Sequence, residues 1–135
     1  MFLHDTNHLL TGYDTVFSSG ERLIAGYELG SGCGHYWFAW LINFMMFGLG
    51  LLVRPCELYH AFLRGRRCLS LYECTESPRV LSEMPLAMLR VQIGITAQPT
   101  ARRVNDSFVF LLWALAAIVP PVFAVAASTQ WLISR

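Results

Sequence analysis

The sequence contains no lysine, so that all ten of its basic residues are arginine. Charged side chains make up only 14% of the chain, whereas 55% of the residues are hydrophobic, which is above the share expected of a water-soluble domain. Two stretches carry no charge at all, Tyr36 to Val53 and Phe108 to Ile133. A helix over the first would be about 27 Å long, close to the ~30 Å hydrocarbon core of a bilayer. These absences predict that both stretches cross a membrane.

The patterns that carry enzyme chemistry are also missing. Cys56, His60, Cys68 and Cys74 lack the paired spacing of compact zinc sites. The glycine-rich run at 30–34 has no following Lys and Ser/Thr, as a phosphate-binding loop requires. The basic segment has no interleaved aromatic residues on which bases could stack. The sequence therefore predicts no catalytic residue, no metal ion, no cofactor and no nucleic-acid partner.

The predicted fold is an all-α membrane protein, a two-helix transmembrane hairpin with an interfacial amphipathic helix in the connecting segment. Its predicted parts are a polar, glycine-rich extension (1–35), transmembrane helix 1 with an emergent C-terminal extension (36–65), an arginine-rich connection with the amphipathic helix (66–106), and transmembrane helix 2 (107–135). Most arginines lie between the two apolar runs, which places residues 54–106 on the inner side and both termini on the opposite side. Cys33 would then be open to a thiol reagent outside, and Cys68 and Cys74 would be spared.

Local signals predict where several helices begin and end. Four glycines, Gly26, Gly30, Gly32 and Gly34, indicate a conformationally loose segment before the first span, although one short helix fits inside it. Pro55 either kinks the first helix or starts a new one, and the helical pattern should stop near Gly65. Ser82 is a candidate cap for the amphipathic helix, which closes at Gly94, and Asp106 or Ser107 is the candidate cap of the last helix.

Five residues within the apolar runs predict helix packing. Asn43 is a strongly polar residue inside the first run, and its amide should bond to a neighbouring helix. Gly48 and Gly50 thin the same helix and allow close approach. Pro120 and Pro121 lie in the middle of the second run and predict one kinked helix rather than two, since each removes a backbone donor.

The arginine clusters predict binding of phospholipid headgroups. The residues concerned are Arg64, Arg66, Arg67, Arg102 and Arg103. An anionic lipid such as cardiolipin would suit them, because guanidinium groups bind phosphate oxygens in pairs. Codon bias in a GC-rich gene is the alternative explanation for the exclusive use of arginine.

A second interpretation concerns His60. Together with Arg64, Gly65 and Arg67, it resembles the haem-ligating helix of the succinate dehydrogenase membrane anchors, although the His–Gly spacing is one residue longer and the third helix of those anchors is missing. The resemblance implies a haem or quinone contact at His60. A small homo-oligomeric transporter is a further alternative.

With no catalytic constellation, the sequence favours a non-catalytic accessory subunit of a large energy-transducing membrane complex. A mitochondrial respiratory complex or ATP synthase in the inner membrane is the leading expectation, with the termini on the intermembrane-space side. A thylakoid or bacterial inner membrane is the alternative location. The expected partners are other membrane subunits and anionic lipids.

Overall fold

The computed structural model describes residues 2–17, 19–95 and 104–133, and the side chains of residues 104, 120–127, 132 and 133 lie outside that description. Every regular element in the described residues is a helix. In chain order these are α1 (Phe2–Thr11), α2 (Gly20–Ser31), α3 (Trp37–Val53), α4 (Pro55–Gly65), a 3₁₀ turn (Leu71–Glu73), α5 (Pro78–Glu83), α6 (Leu86–Gln92) and α7 (Val104–Ile133).

Helices α2 and α4 approach each other closely because glycines line their contact. A Cβ atom at Gly65 would overlap the carbonyl oxygen of Tyr27, and one at Gly30 would overlap the carbonyl oxygen of Phe62. A Cβ at Gly26 would come within 2.8 Å of the Leu58 side chain. The prediction of a loose segment at Gly26 and Gly30 is therefore wrong, since both lie inside α2, where the missing side chains admit the α4 backbone.

The first apolar run, Tyr36 to Val53, is helical from Trp37 to its end at Val53. Helix α3 has 17 residues, about 26 Å at 1.5 Å per residue. It ends at Val53 because Arg54, which precedes a proline, leaves the helical region with φ −146° and ψ 69°. Pro55 then begins α4, where its missing N–H is not needed. Of the two outcomes expected at Pro55, a kinked helix or a new helix, the structure has the new helix.

No helix in residues 2–17, 19–95 and 104–133 combines the length and the apolarity that crossing a membrane requires. This finding contradicts the predicted transmembrane hairpin, and with it the predicted integral location in the inner mitochondrial membrane. A count of charge-free residues does not show that one face of α3 packs on α2, which carries the buried charged residues Arg22 and Glu28.

Apolar packing forms two clusters. The first joins α2, α3, α4 and α7 around Phe47 and Phe62, which are fully buried and both lie against the ring of Phe110. At its edge, the Trp40 and Trp113 rings stack at 5.7 Å. The second cluster joins α1, the 3₁₀ turn, α5 and α6; its buried residues are Leu10, Leu71, Leu81, Leu89 and Ile93.

The connection between α4 and α7 differs in detail from the prediction. Ser77, rather than Ser82, caps a helix, since its side chain accepts from the Val80 N–H at the start of α5. Helix α6 begins after Pro85 and is followed by Gly94, whose φ of 80° suits glycine. The predicted end of the earlier helix at Gly65 is confirmed. Helix α7 begins at Val104, so that Asp106 lies in its first turn and is not its cap.

Candidate functional site

A carboxylate lies buried at the centre of the fold. Glu28, in the second half of α2, is 0% exposed. Its Oε1 atom accepts from Asn7 Nδ2 at 2.8 Å and lies 3.1 Å from His4 Nδ1. Its Oε2 atom accepts from Asn43 Nδ2 at 2.6 Å and from the Tyr72 hydroxyl at 2.9 Å. Four groups from α1, α3 and the 3₁₀ turn therefore converge on one side chain of α2.

The surroundings keep Glu28 charged. Burial by itself would raise the pKa of Glu28, but the hydrogen bond with His4, the charge of His4 and the hydrogen bonds from Asn7 and Asn43 outweigh it and lower that pKa below the ordinary value of 4.5. The same contact with Glu28 raises the pKa of His4 above 6.5, against the opposing effect of burial. With both oxygens engaged, this carboxylate ties helices together and has no bonding capacity left for a substrate.

Next to this cluster, on the other edge of the His4 ring, lies a group of metal-ligating side chains. His4 Nε2 is 3.2 Å from Glu21 Oε2, and His8 Nε2 is 3.3 Å from Glu21 Oε1. The two Nε2 atoms are 3.3 Å apart. His4 and His8 share a face of α1 because they are four residues apart, and Glu21 lies in the first turn of α2. Among the described residues, this is the group that could hold a metal ion.

Cys33 lies beside the same carboxylate cluster. Its Sγ atom is fully buried, 3.5 Å from Asn43 Nδ2. Burial raises the pKa of the Cys33 thiol to about 12, despite the hydrogen bond from Asn43. The expectation that an external reagent reaches Cys33 first is therefore wrong, whereas Cys56 is exposed.

We expect Cys33 to react with a thiol reagent at least about 1,000-fold more slowly than Cys56, because attack requires opening of the α2–α3 contact. The measurement is the rate of reaction with a chromogenic disulfide, using two variants that each keep one of the two cysteines and replace the rest with serine. Denaturant should abolish the difference. Equal rates in the folded chain would contradict the placement of α3 against α2.

The outer sides of α3 and α7 form an apolar face. Its residues recur at helical spacing and are 39–76% exposed. They are Trp37, Phe38, Leu41, Ile42, Met45, Leu49, Leu52 and Val53 on α3, and Phe108, Leu111, Leu112, Leu115, Ile118 and Val119 on α7. At roughly 150–250 Å² for a large side chain, the exposed area is on the order of 1,000 Å². A monomeric protein rarely shows an apolar patch of this size, and such patches usually mark interaction sites.

The arginines expected to bind phospholipid headgroups have partners inside the fold where they are described. Arg64 Nη1 donates to the Thr11 carbonyl oxygen at 2.8 Å, and its guanidinium lies 5.4 Å from the centre of the Tyr13 ring. Arg66 Nε is 3.3 Å from Asp106 Oδ1. Arg67 also takes part in an interaction within the fold. Arg102 and Arg103 lie outside the described residues, and lipid binding by these arginines stays a prediction.

The residues expected to pack helices lie in different surroundings. Asn43 bonds to Glu28 on the neighbouring helix, as described above. A Cβ at Gly50 would lie 3.1 Å from the Leu58 side chain, whereas one at Gly48 would make an ordinary contact with Ala117 at 3.8 Å. Helix α7 is continuous through positions 120 and 121. The side chains of Pro120 and Pro121 lie outside the described residues, and the kink stays a prediction.

His60 is exposed on α4, with its ring 5.8 Å from that of Tyr59. The haem or quinone contact expected from its resemblance stays a prediction.

Glu28, His4, His8 and Tyr72 were not predicted from the sequence as site residues. Two local signals could have found part of the set. Glu28 follows Ile24 by four residues, which places a charge on the apolar stripe of α2. His4 and His8 have the i, i+4 spacing of ligands on one helix face. No local signal points to Tyr72, whose partner lies 44 residues away.

Protein families, curated proteins and solved structures offer no match to this chain.

Proposed function

We propose that the chain is a non-catalytic accessory subunit of a larger protein assembly and that it docks through the apolar face of α3 and α7. The observation that carries this proposal is the large exposed apolar area on these two adjacent helices. The proposal keeps the predicted role as a structural subunit and drops the predicted location within a membrane.

The apolar face has the dimensions of a protein interface. Its area, on the order of 1,000 Å², is similar to the ~800 Å² that one partner contributes to a standard stable interface. Fully buried interface centres are depleted of charged residues and enriched in aromatic residues and methionine. The face has the same composition, since Trp37, Phe38 and Met45 are among its most exposed members and it contains no charge.

The occupant that fits this face is a different protein with an apolar, charge-free helical surface. Side chains on two adjacent helices form ridges and grooves that accept a third helix. A charged partner surface would lose its hydration with no opposite charge to compensate for the loss. The described arginines outside the face, such as Arg64 and Arg66, have partners within the chain, which leaves apolar contact as the principal source of affinity.

The test compares two variants in the cells that produce the protein. The first carries Leu41→Glu and Leu115→Glu, one on each helix of the face. The control carries Val91→Glu, which replaces an apolar residue 81% exposed on α6, away from α3 and α7. On a native gel or by size exclusion, we expect the wild type and the control in a high-mass assembly. The face variant should be depleted there by about tenfold or more, since burying two charges costs at least 1.4 kcal/mol.

The proposal requires a second polypeptide that co-migrates at constant stoichiometry with the 15.3 kDa chain and cross-links to residues of the apolar face. A wild-type chain that runs only as a free monomer would refute it, as would an assembly made of this chain alone. Normal assembly of the Leu41→Glu, Leu115→Glu variant would place the contact elsewhere. Slow thiol reaction of Cys33 in each variant would verify that its core is intact.

A further inference from the structure

The hydrogen bonds of His4 and His8 fix which ring nitrogen carries a proton. His8 Nδ1 lies 3.1 Å from the Tyr13 carbonyl oxygen, which can only accept. His4 Nδ1 lies 3.1 Å from the ionised carboxylate of Glu28, which also only accepts. Both Nδ1 atoms must therefore be N–H donors. When both rings are neutral, both Nε2 atoms present lone pairs, and each lies beside an oxygen of Glu21.

This arrangement brings the electron-rich atoms of three side chains together. The distances from Glu21 oxygens to the two Nε2 atoms are 3.2 Å and 3.3 Å, and the nitrogens are 3.3 Å from each other. Without a metal ion, a proton on His4 Nε2 can bond to Glu21 Oε2, but the lone pair of His8 Nε2 still lies 3.3 Å from Glu21 Oε1. One added proton relieves only part of the repulsion, because it serves one ring, and protonation of both rings would place two positive charges side by side. A single divalent ion would interact favourably with all three side chains at once.

The spacing also matches the coordination geometry of zinc. Ligand atoms about 2.0–2.1 Å from a tetrahedral Zn²⁺ lie about 3.3 Å from one another. The 3.3 Å between the two Nε2 atoms matches one edge of such a tetrahedron, and each nitrogen lies 3.2–3.3 Å from one of the two Glu21 oxygens, Oε2 for His4 and Oε1 for His8. We propose that His4 Nε2, His8 Nε2 and a Glu21 carboxylate oxygen bind one divalent transition-metal ion, with Zn²⁺ as the best match and water as the fourth ligand.

The environment of the two histidines supports this assignment. A metal-ligating histidine usually donates its other N–H to a carboxylate or a backbone carbonyl, which fixes its orientation. His4 donates to the carboxylate of Glu28, and His8 donates to the backbone carbonyl of Tyr13. Two imidazole nitrogens and one carboxylate favour zinc-like ions over Mg²⁺ or Ca²⁺, which prefer oxygen ligands alone. The side chains of His4 and Glu21 are 26% and 27% exposed, which leaves a path for the ion and for the water ligand.

The ion would fasten α1 to the first turn of α2. The other end of α1 already has cationic partners, since Arg90 Nε donates to the Leu10 carbonyl oxygen and Arg64 to that of Thr11. These bonds satisfy carbonyls that have no partner within the helix. The ion would add a second attachment toward the start of α1, next to the Glu28 cluster. Its role in this position is structural and does not depend on the docking proposal.

The test uses the full chain, freed of metal with a chelator and kept reduced, and titrates it with Co²⁺ and then Zn²⁺. We expect one equivalent of Co²⁺ with the visible bands of a tetrahedral site, displacement by one equivalent of Zn²⁺, and a rise in Tm on binding. The chain has four free cysteines. A sulfur-to-cobalt charge-transfer band would show that these are the ligands and would overturn the proposal, as would the lack of saturable binding.

Two variants and one control locate the site. His8→Ala removes a ligand, and Glu21→Gln removes the negative charge while keeping the size of a partly exposed side chain. Changes to groups that only orient ligands cost about 10–100-fold in metal affinity, so we expect each variant to lose at least about 100-fold. The exposed His60 provides the control, because His60→Ala should bind as tightly as the wild type.

Circular dichroism of each variant shows whether it folds. If His8→Ala proves unfolded, Glu21→Gln decides the matter, because its side chain is not required by the core. Unchanged affinity in folded Glu21→Gln would refute the site, and so would an equal loss in His60→Ala.

Discussion

Replacing Glu28 with alanine is expected to lower the free energy of unfolding by about 3–5 kcal/mol, the cost of removing one partner from a buried, charged network. The change leaves the amides of Asn7 and Asn43 and the Tyr72 hydroxyl without their acceptor, and it leaves His4 without its counter-charge. Since domains of this size have a total stability of about 5–15 kcal/mol, a large share of the molecules should unfold at moderate denaturant. Urea denaturation followed by circular dichroism measures the loss.

Glu83→Ala is the matched control for this variant. Glu83 forms an exposed pair with Arg79 on α5, with side chains 67% and 88% exposed, and pairs of this kind contribute little. Its loss should change stability by less than about 0.5 kcal/mol. Tyr72→Phe removes one of the four donors. Its loss of stability should lie between those of Glu28→Ala and Glu83→Ala. A Glu28→Ala chain as stable as the Glu83→Ala control would mean that the cluster does not hold the helices together.

The sequence predicted helices well where the signal was local. Both apolar runs are helical, α4 ends at Gly65, and Gly94 follows α6. These features depend on residues within one or two turns of each other, which periodicity and glycine conformations report directly. The break between α3 and α4 was also partly visible, because Pro55 restricts the residue before it.

The environment of α3 could not be predicted in the same way. A charge-free helix has the same sequence pattern whether it faces lipid or packs on another helix, since both environments favour apolar side chains. Asn43 was expected to need a partner, but that partner is the charged Glu28, 15 residues away on a helix assigned to a polar extension. A buried carboxylate with donors at positions 4, 7, 43 and 72 depends on the tertiary fold, which local patterns do not report.

The predicted effect of Gly26 and Gly30 was wrong for a related reason. In a sequence, Gly26 and Gly30 look like breaks in a helix, because glycine costs about 1 kcal/mol in a helix interior. In α2 that cost is offset by packing, since the absence of side chains lets the backbones of α2 and α4 approach. Which of the two effects prevails depends on a partner helix that lies about 35 residues further along the chain.

Gly65→Ala is accordingly expected to destabilise the chain by about 3 kcal/mol, at the upper end of the usual cost of overpacking. The new Cβ would overlap the Tyr27 carbonyl oxygen and lie 2.9 Å from the Ser31 backbone nitrogen. Both obstacles are backbone atoms of α2, so no change of rotamer can relieve the clash. The two helices must move apart, and their separation would also disturb Phe62 and Leu58 in the core. Urea denaturation gives the difference in stability.

Gly48→Ala is the same chemical change as Gly65→Ala, but it is not expected to destabilise the chain. Its Cβ would meet Ala117 at 3.8 Å, an ordinary contact, while alanine is favoured over glycine within a helix by up to about 1 kcal/mol. This variant should therefore be as stable as the wild type or slightly more so. The two substitutions add one methyl group each to neighbouring helices, so a difference of about 3–4 kcal/mol between them would isolate the effect of the α2–α4 approach. If Gly65→Ala were as well tolerated as Gly48→Ala, close backbone packing of α2 on α4 would be excluded.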